Sequence, residues 1–234
     1  MQSINRFLRT GILLCLGLTC TSTSPTIGQT PKDLRIRYPG IEIDPQKREI
    51  VATGTFLLDR GLIELLLTSR GGKEHESILV MDGAPHLLQA GLILIGLKPG
   101  EGVRYLGDQR IPRGSRVLIL VRWKENNRTQ TVRAEDLIWN QLHKKPMPRK
   151  GWIFTGSQFA RTHNSGKEVF LASQSGAIAV TYHDPTAILD TPLLGGSDDT
   201  LYHANPDRCP APGTRVEILF RPFPEESKKE SSDR

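Results

Sequence analysis

The chain has 234 residues, of which 37% are hydrophobic and 24% are charged, as in an ordinary globular protein. Its formal net charge of +6 is mild, and acidic residues are mixed with basic ones along the chain. A nucleic-acid binder concentrates Lys and Arg on one face. The one basic cluster, at 143–150, contains two prolines that are typical of a linker, so we expect no nucleic-acid partner.

The first residues have the pattern of a secretory signal peptide. Arg6 and Arg9 give a positive start, residues 11–18 are apolar, and small and polar residues lead to a cleavage position after Gly28. The apolar run is too short to cross about 30 Å of hydrocarbon, so we expect no transmembrane span in the mature chain. A buried core helix is the alternative interpretation. The residues before Cys20 make a poor lipoprotein box, so no lipid anchor is expected there. We therefore predict a signal peptide at 1–28 and export to the periplasm or cell envelope of a bacterium.

Strands and tight turns dominate the rest of the chain. Residues 29–40 are polar and contain proline, which predicts a loosely ordered segment. A turn that ends in glycine separates 49–58 from 62–69, which predicts a hairpin. Further strands are predicted at 76–81, 116–124, 128–133, 152–155, 168–173, 177–182 and 215–220. The charged residues 225–234 lack apolar side chains and are predicted to be a disordered tail.

One helix is predicted at about 84–95, where apolar residues lie almost all round the helical surface. That pattern indicates a buried helix, with Asp82 capping its first turn and Gly96 at its end. The sequence therefore predicts an α+β fold of mostly antiparallel β hairpins, with one buried helix packed on the sheet. Long helices do not alternate with strands and no glycine-rich phosphate loop occurs, which argues against a parallel nucleotide-binding sheet. The globular domain is predicted at 41–224, either as one unit or as two lobes at 41–142 and 151–224.

Cysteine usage excludes several kinds of site. Cys15 and Cys20 lie in the predicted signal segment, which leaves Cys209 alone in the mature chain. A single cysteine can form no internal disulfide and no four-thiolate zinc or iron–sulfur site within one chain. We interpret Cys209 as a small buried apolar residue, with a free thiol as the alternative. No cofactor is predicted.

The strongest group of ionisable residues is Lys73-Glu74-His75-Glu76, followed by Ser77, in a loop between two predicted strands. Such a loop can supply a general base, a cation for an anionic substrate, or metal ligands. Glu64 is a further candidate because it interrupts the apolar run 62–67, where an unpaired charge is unfavourable. If the strands pair as a hairpin about Gly72, Glu64 lies roughly 13 Å beyond the residue opposite Glu76. The alternative interpretation is a solvated loop with Glu64 on a wet face.

A second group of ionisable residues lies near the C-terminus. His183, Asp199 and His203 are weak candidates for a metal site of two histidines and one carboxylate, with Asp184 and Asp198 beside them. Their spacing is unspecific. Asp184 before a proline is also typical of a turn or a helix start.

Residues 61–100 resemble the YdjY-domain family of bacterial, often exported, proteins. The shared features are an acidic strand residue at Glu64, a Lys-x-His-Glu-Ser motif at 73–77, the apolar helix, and the Leu-Lys-Pro-Gly that follows it. Ser175-Gly176 and His183-Asp184-Pro185, with their flanking residues, are similar to the C-terminal part of such proteins, so the resemblance covers most of the mature chain. It implies no established molecular function. Ferredoxin-like labels attached to relatives imply a cluster, which the single mature cysteine argues against.

Three functions remain open from the sequence. The leading hypothesis is a binding or accessory module of the envelope that contacts an unidentified ligand or protein through Lys73, His75, Glu76 and Ser77. The second is a hydrolase or metal-dependent enzyme, with His75 as base, Glu76 or Glu64 as its orienting residue or a metal ligand, and Lys73 as electrostatic stabiliser. The third is a structural envelope protein without a site. The first is favoured because no complete set of nucleophile, base and orienting residue can be read, and neither a zinc-protease motif nor a Gly-x-Ser-x-Gly elbow occurs.

Overall fold

The computed structural model describes residues 34–161 and 166–224. The predicted signal peptide and the predicted tail at 225–234 lie outside these residues. The described residues, which begin at Leu34, group into one compact unit. The described strands are β1 Ile36–Tyr38, β2 Ile41–Asp44, β3 Glu49–Phe56, β4 Gly61–Leu62, β5 Leu65–Ser69, β6 Ser77–Met81, β7 Ser115–Glu125, β8 Arg128–Arg133, β9 Ile138–Asn140, β10 Lys145–Pro146, β11 Trp152–Phe154, β12 Phe159–Arg161, β13 Glu168–Phe170, β14 Ala177–Val180, β15 Leu189–Asp190, β16 Tyr202–Ala204 and β17 Arg215–Pro222. The helices are α1 Pro85–Leu94 and α2 Leu171–Ser175, with short 3-10 helices at Glu74–Glu76, Ala134–Leu137 and Leu194–Ser197. Within the described ranges, no helix is long and apolar enough to cross a membrane.

Eight of the described strands close into a barrel. Around the ring they run in the order β3, β17, β7, β11, β15, β14, β5 and β6, and β6 pairs back to β3. Most neighbours are antiparallel, but β5–β6 and β14–β15 are parallel. Strands β1 and β2 extend the sheet beyond β3, and β8 pairs with β7 outside the ring. β1 belongs to the segment for which loose order was predicted.

Alternation along the barrel strands directs one row of side chains into the core. In β3, the buried residues Ile50, Ala52 and Phe56 alternate with partly exposed ones. The central part of β7, at 117–123, shows the same pattern. β5 and β6 are instead buried on both faces, as is usual for parallel strands. The loop that joins β5 to β6 is therefore attached at both ends to the most buried part of the barrel wall.

The predicted α+β fold is wrong, because the chain is mainly β with a closed eight-stranded barrel and only about 14% helix. The hairpin predicted from 49–58 and 62–69 does not form, since β3 pairs with β17 and β6. Alternation identifies single strands but carries no information about which strands pair. β17 comes from the far end of the chain, so the closure of the ring has no local sequence signal.

The helix predicted at 84–95 occurs as α1, but it is not buried all round. Ile93 and Leu94 are 51% and 53% exposed. Gly91 lies against Ile43 and Ile50, where a Cβ would come within 3.1 and 2.9 Å of their Cδ1 atoms. The helix therefore crosses β2 and a barrel strand at close range, and it does not lie on the face of an open sheet. The apolar composition of the helix overstated its burial.

Asp82 joins three parts of the barrel and does not cap α1, which begins without a side-chain cap. Its carboxylate accepts hydrogen bonds from Thr53 at 2.9 Å, from Arg215 at 2.6 Å and from Arg70 at 3.0 Å. Burial tends to raise the pKa of Asp82, but these hydrogen bonds outweigh it and lower the pKa to about 2. Asp82 is therefore ionised under ordinary conditions and ties β3 to β17 and to the end of β5.

Candidate functional site

Lys73 connects two carboxylates at the start of the 3-10 helix between β5 and β6. Its Nζ donates to Glu64 Oε2 at 2.6 Å and lies 3.0 Å from Glu76 Oε1. The side chains of Lys73, Glu64 and Glu76 are 33%, 21% and 23% exposed. Burial disfavours the charged form of Lys73, but hydrogen bonds to both carboxylates outweigh it and raise the pKa of Lys73. These three predicted site residues form one ion cluster, here named the Lys73 cluster.

Glu64 and Glu76 meet because β5 and β6 run parallel. In their register Leu65 lies opposite Ser77, so the residues that precede these two are also neighbours. The Glu64 N–H donates to the Glu76 carbonyl at 3.0 Å. The predicted separation of roughly 13 Å was wrong because it assumed a hairpin. The pairing direction, which the sequence did not reveal, creates the cluster.

Two glycines allow the loop to pack closely against the turn after α2. A Cβ on Gly72 would lie 2.7 Å from Gly176 Cα, and a Cβ on Gly176 would lie 2.6 Å from Gly72 Cα. Gly176 also has a φ of +78°, which favours glycine. The Thr68 hydroxyl donates to the Gly176 carbonyl at 3.0 Å. The loop is therefore held on the side of α2 as well as by the Lys73 cluster.

The other predicted loop residues differ in their surroundings. His75 is 82% exposed, and its Nε2 lies 3.8 Å from Glu76 Oε2, which is too far for a hydrogen bond. Ser77 is fully buried, and its hydroxyl donates to the Lys73 carbonyl at 2.6 Å. Glu74 accepts a hydrogen bond from the Gly71 N–H at 2.8 Å. His75 is thus open to solvent, whereas Ser77 is held inside the fold.

Tyr182 borders the Lys73 cluster and was missed in the sequence. Its N–H donates to the Glu64 carbonyl at 3.0 Å. Burial, followed by the charges of Asp199 and Glu64, raises the pKa of Tyr182. Asp199, a predicted metal candidate, therefore acts electrostatically on this region. The available signal was the position of Tyr182 directly before the His-Asp-Pro segment.

His183 pairs with a residue that the sequence reasoning did not single out. Its Nδ1 lies 2.8 Å from Asp190 Oδ1, and both side chains are almost completely buried. Among the described residues, His183 Nε2 and Asp190 Oδ2 have no hydrogen-bond partner, and a Cβ on Gly196 would lie 2.6 Å from that Nε2. Burial raises the pKa of Asp190, and its hydrogen bond with His183 opposes this effect. The charge inside the apolar run Ala-Ile-Leu-Asp190 was the signal that could have found it.

The metal candidates are not gathered into a site. His203 lies in β16, paired with β4 and β9, and burial followed by the charge of Lys144 lowers its pKa. Asp184 accepts from the Thr186 N–H at 2.7 Å, which fits the turn interpretation. In the described part of the chain, no group of three or more His, Cys, Asp and Glu residues is placed to hold a metal ion.

The family model of the YdjY domain matches residues 41–221. The chain belongs to the YdjY domain family. The match runs from β2 to β17, so this YdjY domain includes the complete barrel, the Lys73 cluster and the His183–Asp190 pair. Searches of curated proteins and of solved structures found no match.

Cys209 of this YdjY domain is a free cysteine and is buried. The Cys209 Sγ donates to the Leu137 carbonyl at 3.4 Å. Burial raises the pKa of Cys209 to about 12, so its thiol is protonated and a poor nucleophile near neutral pH. Of the two interpretations of Cys209, the geometry favours a buried structural residue.

Proposed function

We propose that this YdjY-domain protein is an exported binding or accessory module of the bacterial envelope, with residues 71–77 as its contact surface. The observation that carries the proposal is a contrast within the loop. The charged groups of the Lys73 cluster are paired with one another, whereas His75 is 82% exposed. A ligand or partner approaching the loop would meet His75 first. Export is supported by the signal-peptide pattern at 1–28.

The way in which the loop is held favours recognition. Lys73 fixes its start through two carboxylates, Glu74 accepts from its own loop backbone, and Gly72 packs on Gly176. A loop that is already ordered loses little conformational entropy on binding, so more of the contact energy contributes to affinity. An exposed imidazole can donate or accept a hydrogen bond, stack on a ring, or coordinate a metal ion.

The same contacts give less support to a hydrolase. Ser77, the hydroxyl of the motif, is buried and bonded to the Lys73 carbonyl, so it is not placed to attack a substrate. His75 lies beyond hydrogen-bonding distance of Glu76, the residue predicted to orient it as a base. The ammonium of Lys73 is already paired with two carboxylates, which weakens it as a stabiliser of a developing negative charge.

A thermal-shift screen tests the proposal. The purified protein is screened against divalent cations, amino sugars and short peptides, beside His75→Ala and the control His86→Ala, which removes an exposed histidine of α1 outside the loop. Ligand at a hundredfold excess over its Kd adds about 2.7 kcal/mol of stability, or roughly 5–10 °C in Tm for a chain of this size. We expect such a shift in wild type and His86→Ala and its loss in His75→Ala.

Two other outcomes would contradict binding through this loop. If no probe shifts the Tm of any variant, a structural envelope protein becomes the better account. If a panel of hydrolase substrates shows turnover that His75→Ala abolishes, the enzyme hypothesis replaces it.

A further inference from the structure

A depression of about 640 Å³ on the described surface is lined by two arginines and by no acidic residue. Arg48 and Arg116 contribute the charge, and Ser115, Leu97, Pro222 and Phe223 form much of the remaining lining. Its volume is in the range of small-molecule sites. These residues differ from those of the loop at 71–77, so an inference drawn from them does not depend on the proposed function.

Backbone carbonyls hold both arginines, and neither of them forms an ion pair with a carboxylate of the described residues. Arg48 Nε donates to the Ile95 carbonyl at 2.9 Å. Arg116 Nε donates to the Lys150 carbonyl at 3.0 Å, and its Nη2 donates to the same oxygen. Most other arginines with described partners face a carboxylate, as Arg221 faces Glu49. Two full positive charges therefore remain in the depression.

The guanidinium groups are also fixed in place. Arg116 lies over the Phe223 ring, with its Cζ 4.1 Å from the ring centroid. Arg48 passes Gly96, where a Cβ would lie 3.5 Å from its Nη2. Arg48 has a φ of +51° because it ends the turn between β2 and β3, where its N–H donates to the Pro45 carbonyl at 3.3 Å. Ordered side chains lose little rotamer entropy when a ligand binds.

The remaining donors suit an oxyanion. A guanidinium has five N–H groups, so Arg48 keeps four after its carbonyl bond and Arg116 keeps about three. Arginine forks bind phosphate and carboxylate oxygens bidentately. Two positive charges match the charge of about −1.5 to −2 on a phosphate monoester better than the single charge of a carboxylate. Leu97, Pro222 and Phe223 offer apolar contact to the group that carries the phosphate.

We infer that the Arg48–Arg116 depression binds a molecule that carries a phosphate monoester. The helix C-terminus at Ile95 gives Arg48 a structural role as well, because a cation is favourable there. That role uses Nε and leaves both Nη groups for a ligand. The phosphate can belong to a soluble metabolite or to a lipid headgroup, and the two sources are separated by experiment.

Calorimetric titration with phenyl phosphate at constant ionic strength is the test. We expect saturable binding to wild type that Arg48→Gln weakens at least about tenfold, because charged hydrogen bonds are lost. Arg48→Lys keeps the charge without the fork, so we expect it to bind more weakly than wild type. The control is Arg122→Gln, which removes an arginine paired with Glu217 and should bind as wild type does. Benzoate should bind more weakly than phenyl phosphate.

A second measurement needs no variant. Phenyl phosphate added to isotope-labelled wild type should shift the NMR amide signals of Gly96, Leu97 and Ser115.

Vesicles with and without phosphatidic acid distinguish the two sources of the phosphate. Binding to vesicles with phosphatidic acid that is lost in Arg48→Gln indicates a lipid headgroup. The inference is overturned by absence of saturable binding, by signal changes confined to other residues, by equal binding of wild type and Arg48→Gln, or by benzoate binding as tightly as phenyl phosphate.

Discussion

Replacing Lys73 with methionine should destabilise the fold while keeping a side chain of similar length. Glu64 and Glu76 would be left as two neighbouring carboxylates without their shared cation. Breaking a fully buried ion pair costs about 3–5 kcal/mol, whereas an exposed pair contributes about 0–1 kcal/mol. Because the three side chains are between 21% and 33% exposed, we expect a loss of about 2 kcal/mol. In a domain of this size that loss lowers Tm by roughly 4–8 °C.

Urea unfolding and calorimetry at pH 7 measure this loss, and pH adds an independent check. The pKa of Lys73 is raised in the folded state, so the stability that it contributes is present below its unfolded value of 10.5 and is lost as pH rises through the folded pKa. The difference in the free energy of unfolding between wild type and Lys73→Met should therefore persist at pH 7–9. It should shrink as pH rises above 10.5 and through the folded pKa of Lys73. Glu64→Gln added to Lys73→Met should recover part of the loss, because the repulsion is relieved. Equal stability of wild type and Lys73→Met at pH 7 would refute the anchoring role.

Three further predictions concern other parts of the barrel. Gly176→Ala should destabilise the protein by at least about 1 kcal/mol more than Gly213→Ala in urea unfolding. Both positions have positive φ, but no atom of the described residues lies within 4 Å of a Cβ at Gly213. Equal losses would count against the close packing on Gly72. The folded pKa of Asp190 is raised, so the stability that Asp190 contributes is complete below its unfolded pKa and is lost as pH rises through the folded pKa. The stability of Asp190→Asn relative to wild type should therefore increase as pH rises from about 4. A pH-independent difference in denaturant titrations would contradict this. The folded pKa of Asp82 is about 2, so Asp82→Asn should lower the free energy of unfolding by about 2 kcal/mol at pH 7. In acid unfolding, the difference in stability between the variant and wild type should disappear as pH falls from about 4 towards 2. A difference that stays constant would argue against the hydrogen bonds of Asp82.

Single strands could be predicted from the sequence better than their arrangement. The predicted strand at 76–81 corresponds to β6 and that at 215–220 to β17, because alternating or continuous apolar runs mark strands locally. The barrel could not be predicted, because its closure depends on pairs such as β3 with β17 that lie far apart in the chain. The position of the helix could also be predicted from the sequence. Its burial could not, because composition does not show which face of the helix the neighbouring strands leave exposed.

The residue types of the candidate site could be predicted from the sequence, but their geometry could not. Glu64 was singled out because it interrupts an apolar run, where an unpaired charge is unfavourable. Lys73 and Glu76 were singled out because a loop with Lys, His and carboxylates can supply a base, a cation or metal ligands. Their meeting depends on the parallel register of β5 and β6, which periodicity does not show. His183 was assigned to a metal hypothesis, but its side chain pairs with Asp190. The sequence did not reveal this partner because Asp190 lies in a short strand with no motif of its own. The sequence could not predict that Arg48 and Arg116 line the same surface depression, because the two residues are distant in the chain.

The most direct test of the account measures stability and affinity on the same preparations of wild type and His75→Ala. Urea unfolding should give the same free energy within about 0.5 kcal/mol, as expected for an exposed side chain. Calorimetric titration with the ligand found by the thermal-shift screen should show binding to wild type and none to His75→Ala. A variant that binds like wild type, or that loses more than about 1 kcal/mol of stability, would contradict the assignment of His75 as the contact residue of the loop.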